Sequence, residues 1–191
     1  MSNRGGEGMN LQETNEYFSI PSNRSALLQY YANQYGDFKV ARHIKEDLWT
    51  KHFSVISICE SGKMELLQHS NNRQLLSNEI VIDLDYLENE TKSLFEERAK
   101  KIIQVLTESF TVRVYFSGSK GYHIHIMYNE HLDKDTFRLC KNNILTKFNG
   151  DLHKASFKSL IALEFCPHWK TNQLKTLIVD NTKGLYYEFS R

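Results

Sequence analysis

Two aspartates, one residue apart, end an apolar run in the middle of the chain. In a β-strand from Ile80 to Asp85, Asp83 and Asp85 point to the same face. Two carboxylates at this spacing repel each other unless a cation lies between them, and Mg²⁺ commonly uses one or two carboxylates together with substrate phosphates. The pair therefore predicts a divalent-cation site for a phosphate-bearing ligand. The alternative is that the carboxylates merely end a strand and enter a loop.

A glycine-rich basic turn lies further along the chain. It runs from Ser117 to Gly121 with the sequence Ser-Gly-Ser-Lys-Gly, between two segments with the composition of β-strands. Backbone N–H groups, hydroxyls and one ammonium in a tight turn suit an anion. His123 and His125 share one face of the strand that follows. A histidine packed in a core is the alternative for either one, but two on the polar face after a basic turn indicate a site.

In this order and at this spacing, the two motifs resemble those of the archaeo-eukaryotic primase superfamily. Its members include replicative primase small catalytic subunits, primase-polymerases and the polymerase domains of bacterial end-joining ligases. Its first motif is an apolar strand ending in Asp-x-Asp. Its second motif, Ser-Gly-x-x-Gly-x-His, is matched by Ser117, Gly118, Gly121 and His123. The resemblance implies a DNA primase or DNA polymerase, a nucleotidyltransferase of DNA replication or repair.

The resemblance also implies roles for individual residues. Two Mg²⁺ or Mn²⁺ ions would be held by Asp83, Asp85 and a third carboxylate. His125 either supports the metal or nucleotide or packs in the core. The residues expected to bind the triphosphate of an NTP or dNTP are Ser117, Gly118, Ser119, Lys120 and His123.

The third carboxylate has two candidates. The superfamily's third motif, an apolar residue followed by Asp or Glu, is matched best by Asp180, and Glu164 is the competitor. A fourth strand running antiparallel to the first would leave Asp180 at the wrong end of the sheet. Bringing Asp180 to the correct end therefore requires residues 160–165 to form the fourth strand and residues 175–180 to return beside it. The alternative is that Asp180 only ends a strand.

The elements that must position these residues follow from hydrophobic periodicity. From residue 78 the order is strand, helix, strand, strand, helix and strand, which is typical of a ferredoxin-like or RRM-like sheet. A right-handed crossover places strand 80–85 antiparallel beside strand 122–128. We therefore expect an α+β fold whose RRM-like catalytic sheet brings the Asp pair to the turn. The pattern predicts helices over 25–35, 91–106 and 133–148, and a hairpin over 51–59 and 64–69.

Length and composition predict one domain, since the 191 residues are 40% hydrophobic. We expect a disordered tail over residues 1–15 and one primase-type catalytic domain over 16–191, with an N-terminal α/β lobe (16–77) packed against the RRM-like core (78–191). The net charge of +1 excludes a global basic field, so contact with DNA must come from a local basic face. The sequence shows neither a membrane span nor a signal peptide, which predicts a cytoplasmic, nucleoid-associated protein of a cell, plasmid or virus.

The cysteines do not follow a metal-binding pattern. Cys59, Cys140 and Cys166 lie far apart, which indicates a reducing compartment. Their spacing relative to His153 and His168 is not that of a zinc knuckle, so we predict no zinc site.

Other positions depart from the pattern of replicative primases. Ser119 and Lys120 stand where replicative relatives often have two basic residues, which is closer to the end-joining type. After the third motif, Lys183 and Arg191 are the basic residues available to contact nucleotide or primer. The chain is therefore either a compact member or the catalytic core of a larger protein.

Trp169 and its neighbours are predicted to form a loop that touches nucleic acid.

The leading hypothesis is template-dependent nucleotidyl transfer from an NTP or dNTP to a primer 3′-hydroxyl or to an initiating nucleotide on DNA. A helicase or a large primase subunit is a possible partner. One alternative is a repair polymerase domain without priming activity. A second is a non-catalytic RRM-like module for single strands, which requires aromatic residues exposed on the central strands. A third is a sugar-nucleotide transferase, which explains the Asp pair but not the turn.

Overall fold

Two four-stranded antiparallel sheets, named here the N-terminal and the C-terminal sheet, pack against each other. The structure is a computed structural model that describes residues 8–128, 132–156 and 158–182, together with Tyr186 and Phe189. Residues from both sheets share one apolar cluster, so the two sheets form one body.

The N-terminal half of the chain consists of short helices and strands. The N-terminal sheet has the order β4-β1-β5-β9, and its last strand, β9 (Leu160–Ala162), comes from much later in the chain. Strands β2 and β3 pair only with each other, as a small hairpin. The elements are α1 (Leu11–Ser19), α2 (Pro21–Tyr35), β1 (Lys39–Ala41), β2 (His43–Lys45), β3 (Leu48–Trp49), β4 (Phe53–Ser54), α3 (Val55–Ser61), α4 (Glu65–His69) and β5 (Asn72–Gln74).

The C-terminal sheet has the order β10-β7-β8-β6, and every neighbouring pair is antiparallel. Its elements are β6 (Glu79–Leu84), α5 (Lys92–Ser109), β7 (Val112–Phe116), β8 (Tyr122–Met127), α6 (Lys134–Lys147), a 3₁₀-helix (Leu152–Ala155) and β10 (Thr176–Asp180).

One face of the C-terminal sheet is apolar and is covered by helices. Thr91 caps α5 by accepting a hydrogen bond from the backbone N–H of Leu94, and Asp133 caps α6. Alternate strand residues pack against the apolar stripes of these two helices. The buried residues of this layer are Ile80, Ile82, Leu84, Phe95, Ala99, Leu106, Val112, Val114, Ile124, Ile126, Phe137 and Leu145.

The other face of the C-terminal sheet is turned toward the N-terminal lobe. Tyr115, Met127 and Leu177 from this face join the apolar cluster that also contains Phe18 and Leu163. The packing of an N-terminal lobe against a second sheet agrees with the predicted α+β class. Val81 packs on the same face against Leu75 and Ile161, and polar residues, including those of the candidate site, fill the remainder.

The specific RRM-like arrangement is not established by the strand order. Residues 160–165 were expected to supply the fourth strand of the catalytic sheet, but β9 pairs with β5 in the N-terminal sheet. β10 then pairs with β7 and not with a strand formed by 160–165. The expected boundary between the two lobes, at residues 77 and 78, therefore does not separate the two sheets fully. Strand β9 comes after this boundary but completes the N-terminal sheet.

Two local predictions in the N-terminal half are wrong. The tail was expected to be disordered over residues 1–15, but it is helical from Leu11, because Asn10 and Glu13 form a capping box. Residues 1–7 of the expected tail lie outside the described residues. The hairpin expected over 51–69 is instead the pair of helices α3 and α4. Ser54 caps α3, and Gly62 ends it in the left-handed conformation (φ 69°).

A matched pair of leucines on α5 tests the helix-covered core. Leu106 is fully buried against the C-terminal sheet, whereas Leu94 is 57% exposed. Leu106→Ala should lower the free energy of unfolding by about 2–5 kcal/mol because it leaves a cavity. Leu94→Ala makes the same change in helix propensity and should cost much less. Urea unfolding of both variants measures the difference, and equal losses would contradict the assigned packing.

Candidate functional site

The pairing of β6 with β8 brings the two sequence motifs together. Asp83 lies opposite His123, and Leu84 lies opposite Tyr122. The Nε2 atom of His123 is 3.4 Å from Oδ1 of Asp83, and the ammonium of Lys154 is 3.9 Å from Oδ2. The predicted approach of the Asp pair to the histidine strand is therefore present in the structure.

The two aspartates have opposite pKa shifts. Burial alone would raise the pKa of Asp83, but hydrogen bonding and charge from His123, with Lys154 and Lys175, lower it to about 2. The pKa of Asp85 is raised, first by desolvation and then by the negative charge of Asp83. The negative charge of Asp83 thus opposes ionisation of Asp85, and a bound cation would remove this repulsion.

His123 is a buried histidine at this site. Burial and the charge of Lys175 lower its pKa, although Asp83 acts in the opposite direction. The lowered pKa favours the uncharged form of the ring, whose Nε2 contacts Asp83. Its Nδ1 atom is buried and has no hydrogen-bond partner among the described residues.

The glycine-rich turn is held tightly against the Asp pair. The hydroxyl of Ser117 accepts hydrogen bonds from the backbone N–H groups of Ser119 (3.3 Å) and Gly121 (3.2 Å). A Cβ at Gly121 would lie 2.5 Å from the carbonyl oxygen of Leu84 and 2.7 Å from Oδ1 of Asp85. Only glycine permits this approach, so the turn and the end of β6 form one surface.

Gly118 allows the other side of the turn to pack closely against a second loop. Its φ of 83° is in the left-handed region that favours glycine. A Cβ there would lie 2.6 Å from the carbonyl oxygen of Gln173. The hydroxyl of Thr171 donates a hydrogen bond to the carbonyl oxygen of Gly118. The turn is thus packed between the end of β6 and the loop formed by residues 167–174.

A cavity of about 530 Å³ opens over these groups. Sequence analysis did not single out Lys154, whose ammonium faces Asp83 from the 3₁₀-helix, because a lone lysine in a polar segment carries no pattern. Aromatic side chains from both lobes also line the cavity. The predicted site residues that line it are Asp83, Asp85, Ser117, Ser119, Lys120 and His123.

The structure does not bring Asp180 to this cavity. β10 and β6 are the two opposite edge strands of the C-terminal sheet, roughly 14 Å apart at the usual strand spacing. Asp180 pairs across the sheet with Arg113, whose Nε lies 3.8 Å from its Oδ2, and it accepts hydrogen bonds from Thr182. The expected convergence of Asp180 with Asp83 is therefore absent, because β10 joins β7.

The competing carboxylate, Glu164, lies in a buried ion network between the two sheets. The guanidinium of Arg73 binds Glu79 at 2.7 Å and also binds Glu164. His125 donates from Nδ1 to Glu79 (2.6 Å) and accepts at Nε2 from the ammonium of Lys175 (3.2 Å). Burial and Lys175 lower the pKa of His125 to about 4, which fits this neutral ring.

Three members of this network have the ligand types of a metal site. Ligand atoms of Glu79, His125 and Glu164 lie within 4.8 Å of one another, a geometry compatible with a divalent ion. Arg73 and Lys175, however, already balance the two carboxylate charges in the same space. A metal would have to displace a buried cation, so the residues present fit an ion network better. This grouping contains no cysteine, and the prediction about zinc stays a prediction.

Other predicted contacts lie outside the described residues. Lys183 and Arg191 are among these. No helix in the described ranges is both long enough and apolar enough to cross a membrane.

Comparison with known proteins gives a structural relative. No family model matches the chain, and no curated protein matches it. The chain is similar to the solved polymerase domain from Mycobacterium tuberculosis ligase D in complex with DNA, with a TM-score of 0.59 and 11% identity. The match covers 89% of this chain and 81% of that chain. At this identity the likeness shows a related fold, and that fold occurs in one of the groups that the sequence motifs resemble.

The ion network can be tested by its pH dependence. Glu164→Gln should lower the free energy of unfolding at pH 7 by about 3–5 kcal/mol, because Arg73 loses one buried partner. Arg73 and Lys175 hold the pKa of Glu164 near 2 although burial alone would raise it, compared with 4.5 in the unfolded chain. A depressed pKa stabilises the fold above the unfolded pKa, and this stabilisation is lost as the pH falls toward 2.

The difference between wild type and Glu164→Gln should therefore shrink from pH 5 to pH 2. Urea unfolding at several pH values measures it. Glu96→Gln, on the exposed side of α5, serves as the control and should change stability little at any pH. A Glu164→Gln deficit that does not vary with pH would show that its charge is not what stabilises the interface.

Proposed function

We propose that the protein is a nucleotidyltransferase of the polymerase type that transfers nucleotides from an NTP or dNTP onto nucleic acid. One observation carries this proposal: a single cavity holds two neighbouring carboxylates, Asp83 and Asp85, beside the turn that carries Lys120. Acidic and basic groups placed side by side suit a ligand with phosphates and bound cations. The related fold of a ligase D polymerase domain, solved with DNA, supports DNA as the partner.

The phosphates would lie on the glycine-rich turn. Lys120 is exposed at its tip and supplies a point charge, while Ser119 supplies a hydroxyl. His123 can add a donor, because negative phosphate charge nearby raises the pKa of an imidazole. A protonated ring would donate from Nε2 to Asp83 and from its unpartnered Nδ1 to the substrate.

The carboxylates fit Mg²⁺ or Mn²⁺. Asp83 is ionised with a pKa of about 2, and its charge raises the pKa of its neighbour Asp85, so added positive charge would favour both carboxylates. Oxygen ligands from one or two carboxylates together with substrate phosphates are the usual Mg²⁺ environment. When bound, such ions stabilise charge on the phosphates and lower the pKa of the attacking hydroxyl. We propose Asp83 and Asp85 as the ligands that the cavity provides.

Primer extension, gap filling in end joining and primer synthesis use the same chemistry at such a site. We propose template-directed activity of this type, and the requirement for a primer distinguishes its forms. The non-catalytic alternative gains one supporting observation, since aromatic side chains do line the cavity, although they come from outside the central strands. Binding of single strands without any incorporation, and without dependence on Mg²⁺ or Mn²⁺, would favour that alternative.

The direct test is incorporation of labelled nucleotide, with and without a primer, in Mg²⁺ and in Mn²⁺. Asp83→Asn should lower incorporation by about a hundredfold or more, because it removes a charge that faces the reacting phosphates. The fold should persist, since Asp83 is not part of either apolar core. A folded Asp83→Asn variant with the wild-type rate would refute the proposal.

Asp180→Asn is the informative comparison for the third carboxylate. Asp180 faces Arg113 on the opposite edge strand, so we expect incorporation close to the wild-type rate and a lower melting temperature. Abolished incorporation in a folded Asp180→Asn protein would instead show that β10 reaches the cavity during the reaction.

Lys120→Ala tests the phosphate contact. The exposed ammonium contributes to substrate binding and not to the core, so KM for the nucleotide should rise by about tenfold while the melting temperature is unchanged. Lys101→Ala, which removes an exposed lysine paired with Glu97 on α5, should leave KM unchanged. An unchanged KM for Lys120→Ala would remove the turn from the nucleotide site.

A further inference from the structure

Three aromatic side chains, named here the aromatic wall, line the same cavity as the carboxylates and the turn. They are His43, Trp49 and Trp169. The rings of His43 and Trp49 are stacked, with centroids 4.0 Å apart and an interplanar angle of 6°. The rings of His43 and Trp169 lie 4.2 Å apart at 42°. The wall thus joins residues from the two ends of the chain in one surface.

Both halves of the wall are held in place. The backbone N–H of His43 donates to the side chain of Asn71 (2.7 Å), which donates back to the His43 carbonyl oxygen (2.8 Å). Trp169 lies in the loop whose Thr171 donates to the carbonyl oxygen of Gly118. The loop that carries Trp169 is therefore tied to the glycine-rich turn.

Core packing does not account for the wall. Trp49 is 41% exposed, and none of its three members belongs to the apolar clusters of the described residues. The Nε2 atom of His43 is buried without a hydrogen-bond partner among those residues. Flat aromatic rings along a polar cavity fit a planar ligand that has a π-face.

We infer that the aromatic wall binds the nucleobase of the nucleoside triphosphate whose phosphates lie on the Ser117–Gly121 turn; this assignment rests on the proposed function. Bases stack on aromatic side chains with little dependence on sequence. The cavity of about 530 Å³ is in the range of small-molecule sites.

The assignment has a mechanistic consequence. A nucleotide whose base is held by the protein can bind before any template is present. The other nucleic acid component that could stack on the wall is a template strand. The mononucleotide is favoured because the loop of Trp169 is bonded to the turn that would hold its phosphates.

The chain itself supplies a probe, because Trp49 and Trp169 are the only tryptophans in the sequence. Tryptophan fluorescence of the full chain should be quenched saturably by a nucleoside triphosphate in Mg²⁺ without DNA. Inorganic tripolyphosphate has the phosphates but no base, so it should compete for binding without quenching. Free N-acetyltryptophanamide corrects for absorption by the nucleotide. Equal quenching by both ligands, or no quenching by the nucleotide, would overturn the assignment.

Substitutions identify the ring that stacks. Trp169→Leu should weaken nucleoside triphosphate binding on the order of 5- to 150-fold, whereas Trp169→Phe should retain most of it. Tripolyphosphate binding, measured by calorimetry, should be the same in both variants. The wild-type titration remains decisive if Trp169→Leu does not fold. Equal nucleotide affinity in folded Trp169→Leu and wild type would contradict the role of this ring.

The outcomes separate this inference from the proposed function. Quenching by the nucleotide in a protein that never incorporates it would support the wall and refute the polymerase proposal. Incorporation of nucleotide by a protein whose tryptophan fluorescence does not respond to nucleotide would support the polymerase proposal and refute the role of the wall. Quenching by a single-stranded oligonucleotide but not by the mononucleotide would assign the wall to the nucleic acid strand and overturn the inference.

Discussion

The antiparallel register between β6 and β8 is the constraint on which the site depends. Ile80 and Ile82 face the helices, and this fixes the opposite face of β6 for Val81 and Asp83. A slip of one residue would turn the carboxylate of Asp83 into the helix-covered core, where an unpaired charge is very costly. Packing on one face of the sheet therefore sets the chemistry on the other. The turn that ends β7 and begins β8 is placed beside Asp85 by the same register.

The buried ion network gives this polar face a second support. Arg73 of the N-terminal sheet reaches Glu79 of the C-terminal sheet, and Lys175 approaches His125 from the start of β10. When His125 is neutral, the charges of the two carboxylates in this network balance those of Arg73 and Lys175. The interface therefore buries charged groups but little net charge. Such a network contributes less to stability than apolar packing would, yet breaking it is costly. The cavity is lined by residues from both of the sheets that this network joins.

The sequence predicted the features that depend on neighbouring residues. Alternation in β6 and β8 revealed the shared face of Asp83 and Asp85, and short-range turn chemistry revealed the Ser117–Gly121 segment. A crossover rule was sufficient to bring them together, because β6 and β8 pair within one supersecondary unit. The likeness to a ligase D polymerase domain shows a related fold over 89% of the chain.

The features that depend on distant pairing could not be predicted in this way. Asp180 was misplaced because nothing in residues 175–180 specifies β7 as the neighbour, and β9 is too short to show which sheet it joins. The aromatic wall joins residues from opposite ends of the chain, so no local pattern could reveal it. The alternation of Ile and Ser in α3 is typical of a strand and led to the wrong prediction. Ser54 and Gly62, which cap the helix, are the residues that indicated a helix.

The central claim is that Asp83 and Asp85 hold a divalent cation against phosphates on the turn. The most direct measurement is the anomalous scattering of Mn²⁺ in crystals grown with a non-hydrolysable nucleoside triphosphate. The account predicts a peak roughly 2.1 Å from oxygens of Asp83 and Asp85, next to the triphosphate. A peak within the group of Glu79, His125 and Glu164, or beside Asp180, with none between Asp83 and Asp85, would contradict it.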